Sequence, residues 1–124
     1  RSINAKLIGV SILTSLKESD TLTLFDNNLD DQIRSLFEIA VKSNIDGIVC
    51  SPLELGISNT ILDPNLIKIT PGIRNNKVED DQARTISAKK AIEKGATYLV
   101  IGRPITQAQD ISTALKTFSN SIEK

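Results

Sequence analysis

The chain has 124 residues, 40% of them apolar but only 3% aromatic, with 15 basic side chains against 15 acidic ones. That is one domain or part of a larger one, with an aliphatic core, and the balanced charge argues against an electrostatic nucleic-acid surface. The absence of histidine removes Ser-His-Asp, Cys-His and His-metal chemistry together, and the single Cys50 excludes an intrachain disulfide and a cysteine zinc site.

The first apolar run, KLIGVSIL at 6–13, is β-branched and nearly continuous, which suits a parallel strand covered on both faces. The polar stretch 14–30, TSLKESDTLTLFDNNLD, is long for a βα connection and is the expected active-site loop. Leu29, Ile33, Leu36, Phe37, Ala40 and Val41 then fall on one helical stripe. DGIVC at 46–50 is the second strand. Ser51-Pro52-Leu53-Glu54 follows it as a capping box with proline at the first helical position. LIKIT at 66–70 is the third strand, in which Lys68 reads as structural or solvated.

Ala88, Ala91, Ile92 and Gly95 mark the next helix, with Gly95 at its C-cap. TYLVI at 97–101 is the fourth strand. Thr106-Gln107-Ala108-Gln109 reads as a second capping box. It opens a helix whose stripe is Ala108, Ile111, Leu115, Phe118 and Ile122. The order βαβαβαβα gives an α/β fold of four βα units, either half of an eight-fold barrel or a small open sheet. No linker divides residues 1–124, no apolar run reaches membrane-span length, and no signal peptide is visible, so a reducing, cytoplasmic setting is expected.

Two strands end in glycine with arginine close by: ITPGIR at 69–74 and VIGR at 100–103. Gly72 and Gly102 let the backbone approach an anion, and Arg74 and Arg103 can add charge-assisted, bidentate hydrogen bonds. A helix N-terminus after Arg103 would add its dipole, with Pro104 removing one donor. If these are the last two strands of a barrel, this is where such folds bind phosphate.

IGVSILTS (8–15), DGIVCS (46–51), ITPGIR (69–74), DDQAR (80–84) and YLVIGRPITQAQD (98–110) occur in that order. Together they resemble the C-terminal half of bacterial orotidine 5'-phosphate decarboxylase, across essentially the whole chain. The resemblance implies the C-terminal half of a (β/α)8 TIM barrel, usually a homodimer. The implied reaction converts orotidine 5'-phosphate to UMP without cofactor or metal.

It also implies site residues. Thr14 matches a substrate-contacting threonine, and Arg74 a phosphate or ribose-phosphate contact. Gln82 matches the glutamine that bridges the phosphate and the pyrimidine edge, and Gly102 and Arg103 match the main phosphate grip. The segment from Arg74 to Gln82 is about one residue shorter than the family pattern, and Ile86-Ser87 stands where the family has Thr-Pro. The Asp-x-Lys-x-x-Asp motif that carries the family's chemistry is absent from all 124 residues. No catalytic residue is therefore assigned, and the chain alone is expected to be inactive.

Three readings remain. The chain is half of such an enzyme, with a homodimer or a complementing N-terminal half as partner. It is a non-catalytic phosphate-ligand-binding relative or the remnant of a split gene. Or it is another phosphosugar barrel enzyme, such as a 3-keto-gulonate-phosphate decarboxylase relative, although TPGIR…DQ fits the orotidylate branch better.

Overall fold

The computed structural model describes residues 4–13, 15–75 and 85–123. In chain order the elements are β1 (Ile8–Val10), α1 (Glu18–Phe25), α2 (Leu29–Lys42), β2 (Gly47–Val49), α3 (Glu54–Ile61), β3 (Ile67–Thr70), α4 (Ala88–Glu93), β4 (Tyr98–Leu99), α5 (Arg103–Thr106) and α6 (Ile111–Ile122). The sheet order is β1-β2-β3-β4 and every pairing is parallel. All four strands therefore run the same way, and their C-terminal ends share one rim. β1 and β4 are the sheet's two edges, with no strand partner on their outer sides among the described residues.

Side chains alternate across the sheet, so residues in register share a face. Ile48 and Lys68 are one such pair, and both are buried. Ile48 and Cys50 join Phe37, Leu55, Ala88 and Phe118 in the hydrophobic core beneath the helices. The row Val10, Val49, Ile69 and Tyr98 lies on the opposite face. There Val10 and Tyr98 stay 58% and 59% exposed. One face of the sheet is thus covered by helices while the other is apolar and open. At the β4 edge a cleft of about 340 Å³ runs between β4, α4 and α6, lined by Tyr98, Ile101, Leu115 and Phe118 among others.

α2 forms where the apolar stripe predicts it. Ile33, Phe37 and Ala40 are buried, while Val41 turns outward at 48% exposure. Asn28 caps it by accepting from the Asp31 N–H at 2.9 Å. α4 is capped by Ser87, which accepts from the Lys90 N–H. It ends as the sequence predicts: Gly95 takes φ of 101° just past the C-cap Lys94. The Ala96 N–H closes back on the Ala91 carbonyl and the Gly95 N–H on Ile92, satisfying two carbonyls that the helix leaves open. A Cβ on Gly95 would also sit 3.2 Å from Asn59 Oδ1. Gly95→Ala is therefore expected to cost about 1–2 kcal/mol, the penalty of the left-handed conformation, read as a lower urea midpoint.

Four expectations need correction. The 14–30 segment is not a loop: α1 occupies 18–25, its first turn tied by Asp20 accepting from the Lys17 N–H at 2.7 Å. The box at 106–109 does not start a helix. Thr106 ends α5, and α6 is capped instead by Asp110, whose carboxylate takes the Thr113 N–H and hydroxyl. These bonds hold the Asp110 carboxyl below its usual value. The α6 stripe buries only Phe118: Leu115 and Ile122 line the cleft at the open β4 edge, and Ile111 is exposed. Pro52 and Leu53 form a turn, and α3 starts at Glu54 rather than at the proline.

Candidate phosphate site

The rim at the C-terminal ends of the strands holds Arg74, Gly102 and Arg103 of the residues singled out by sequence. β3 ends at Thr70 and the chain turns through Pro71 and Gly72. Gly72 adopts φ of 76°, a left-handed conformation that L side chains rarely take, so the glycine is required by the turn. Beyond it Ile73, fully buried, forms a parallel bridge with Ile86. The Arg74 N–H donates to the Ile86 carbonyl at 3.0 Å, and the Ile86 N–H returns to the Gly72 carbonyl at 3.3 Å. That clamp ties the end of the Gly72 turn to Ile86. The half-buried Arg74 guanidinium donates to the Ile73 carbonyl at 2.9 Å, which braces it close to the turn.

β4 adjoins β3, with Leu99 opposite Thr70 and the Val100 N–H donating to the Thr70 carbonyl. Gly102 and Arg103 therefore emerge beside Gly72 and Arg74. The Gly102 carbonyl accepts from the N–H groups of Ile105 and Thr106, which folds the four-residue α5. The N–H groups of Gly102 and Arg103 donate to nothing within the described residues. A Cβ built on Gly102 meets open space, so the backbone there is accessible. Arg103 is exposed and its guanidinium has no partner among the described residues. α5 is too short to carry much of a dipole, so any anion there would rely on the two N–H groups and the arginines.

The structure thus brings Arg74, Gly102 and Arg103 to one end of two adjacent strands. Thr14 and Gln82 lie outside the described residues, as do Asp80, Asp81 and Arg84. Among the described residues no group of acidic, cysteine or histidine side chains could hold a metal, and no helix is long and apolar enough to cross a membrane.

The β1/β2 side of the rim holds a residue whose role the sequence did not reveal. Glu54, read only as part of a capping box, is 2% exposed. Its carboxylate accepts from the Ser51 N–H and from the Ser11 hydroxyl at 2.9 Å, joining the ends of β1 and β2. Lys68 is likewise buried, at 3% exposure, which excludes the solvated reading. Cys50 sits among these groups. Burial pushes its thiol up to about 12 and the Glu54 carboxylate adds to that; the Thr70 hydroxyl and the Lys68 ammonium oppose it. The Thr70 hydroxyl favours the thiolate without reaching hydrogen-bond geometry, since it has no partner within the described residues.

Native Cys50 is thus both inaccessible and protonated, and is expected to resist Ellman's reagent at pH 8 until denaturant opens the core. Fast labelling of the folded chain would contradict this packing. The raised value also sets a sign. The unfolded thiol ionises near 9 and the folded one near 12, so this group's contribution is intact below pH 9 and lost as pH rises from 9 to 12.

The sequence compares closely with known proteins. Residues 1–118 match the family model described as "Orotidine 5'-phosphate decarboxylase / HUMPS family". The chain is 42% identical over 118 residues to orotidine 5'-phosphate decarboxylase of Actinobacillus pleuropneumoniae, covering 94% of this chain and 51% of that protein. It is 41% identical over 119 residues to the Coxiella burnetii protein of the same name, covering 94% and 50%. Among solved structures it superposes on orotidine 5'-phosphate decarboxylase from Lactobacillus acidophilus with a TM-score of 0.76 and 33% identity, over 96% of this chain and 50% of that one. A Pyrococcus horikoshii structure of the same name, 22% identical, matches the fold with a TM-score of 0.71. The chain spans about half the length of these relatives, which are TIM barrels, so its four parallel strands correspond to half of such a barrel. On the family match and these relatives, the chain belongs to the orotidine 5'-phosphate decarboxylase / HUMPS family.

Proposed function

We propose that residues 1–124 form the C-terminal, phosphate-gripping half of an orotidine 5'-phosphate decarboxylase barrel, acting in pyrimidine biosynthesis in the cytoplasm. The observation that carries this reading is the pair of strand ends. β3 and β4 lie side by side, each followed within three residues by a glycine with an arginine close behind it, and the Gly102 and Arg103 N–H groups donate to nothing among the described residues. In this role Gly102 and Arg103 hold the phosphate, Arg74 adds a second cation, and Gln82 links phosphate to base. Thr14 contacts the substrate from the β1 side.

These groups bind and orient; none of them can protonate the carbanion that decarboxylation leaves. Phosphate binding remote from the reacting carbon supplies energy that is used at the transition state, but it does not replace a proton donor. The lysine and aspartates would come from the complementing half, which would pair with the edges β1 and β4 and cover the open apolar face. No metal or cofactor enters the scheme. The 124-residue chain alone is inactive on this reading.

The missing Asp-x-Lys-x-x-Asp motif also favours a second reading, a relative that keeps the grip without the chemistry. Titration calorimetry of the chain with UMP, and with inorganic phosphate as control, tests what the two share. UMP binding clearly tighter than phosphate supports a nucleotide site, and absence of both bindings overturns it. Decarboxylation on adding a separately expressed half that carries the motif would separate enzyme from non-catalytic relative.

A further inference from the structure

Resting on that reading, we infer that Glu54 is a positioning residue for the nucleoside side of the site. The anion grip occupies the ends of β3 and β4, and the ends of β1 and β2 are the neighbouring part of the same rim, within reach of the rest of a bound nucleotide. Ser11 follows β1 and Ser51 follows β2 by two residues. The Glu54 carboxylate reaches both from the first turn of α3.

Burying a carboxylate to 2% exposure is costly unless its lone pairs are used. A helix cap alone does not call for such burial, since Asn28 and Ser87 cap α2 and α4 with exposed hydrogen bonds. The Ser11 hydroxyl also lies 3.1 Å from the Val49 carbonyl, so Ser11 is held by both β2 and α3. Fixing Ser11 beside the buried Ile12 sets the direction in which the chain leaves β1. Glu54 thereby acts on ligand through the backbone it holds, without touching the ligand.

The test compares Glu54→Leu, Glu54→Gln and Ser11→Ala in the full 124-residue chain. Each variant is titrated with UMP and with inorganic phosphate, and its urea midpoint is measured. The Ser51 and Ser11 donors reach the same carboxylate oxygen, so a glutamine carbonyl can accept from both of them. Glu54→Leu is expected to lose about tenfold in UMP affinity, with phosphate affinity unchanged, and Glu54→Gln to restore most of it. Ser11→Ala is the smaller change and should show the same split, which keeps the test usable if Glu54→Leu does not fold.

Equal losses for UMP and phosphate would reveal general loosening and overturn the inference. Unchanged UMP affinity in folded Glu54→Leu or Ser11→Ala would overturn it as well. A parent chain that binds phosphate as tightly as UMP would remove the nucleoside side while leaving the grip. A parent chain that binds neither would refute the phosphate reading itself and this inference with it.

Discussion

Phe37→Ala is expected to lower the unfolding free energy by about 3–5 kcal/mol, the cost of lost burial plus the cavity left behind. Phe37 is fully buried at the middle of α2, in the same cluster as Ile48, Cys50 and Leu55. With aromatics at 3% of the chain, few other side chains have the volume to collapse into the gap. A small domain holds about 5–15 kcal/mol in total, so this one change removes a large share. The urea midpoint, followed by far-UV circular dichroism, is the measurement. A shift worth under about 1 kcal/mol would mean that α2 does not anchor the sheet as described.

Arg103→Ala is expected to act in the opposite manner, on ligand and not on fold. The side chain is exposed and has no partner among the described residues, so the urea midpoint should stay where it is. UMP affinity should fall by about 1.5–3 kcal/mol, the value of a charge-assisted hydrogen bond. That corresponds to roughly 10–150-fold in Kd. Arg103→Lys keeps the charge and loses the planar fork, so it should recover part of the loss. Unchanged UMP affinity in folded Arg103→Ala would count against the grip assigned to the β4 end.

The sequence disclosed what depends on local pattern. β-branched runs announced all four strands, and the α2 stripe announced Ile33, Phe37 and Ala40. α1 went unread because it has no such stripe: only Thr21 is buried, and Thr21 and Thr23 send their hydroxyls back to helix carbonyls. The box at 106–109 misled because four residues later Asp110 offers a stronger cap. Arg74, Gly102 and Arg103 could be singled out as candidates because glycine and arginine at a strand end carry a chemical meaning of their own. Their adjacency required the sheet order. Glu54 was visible only as half of a cap. Its contact with Ser11, 43 positions earlier in the chain, is a tertiary fact that no local pattern contains. Lys68 and Cys50 likewise acquire their surroundings only when β2 and β3 pair.

The sheet order has a further consequence, for the way the chain acquires its structure. Because the spatial order β1-β2-β3-β4 is also the chain order, each new strand finds its neighbour already synthesised, and no strand waits for a later insertion between two others. Such a topology can grow outward from its first pair, one βα unit at a time, as the chain leaves the ribosome. Where such a sheet closes into a barrel, the final pairing joins the first strand to the last and closes a loop that spans the whole assembly.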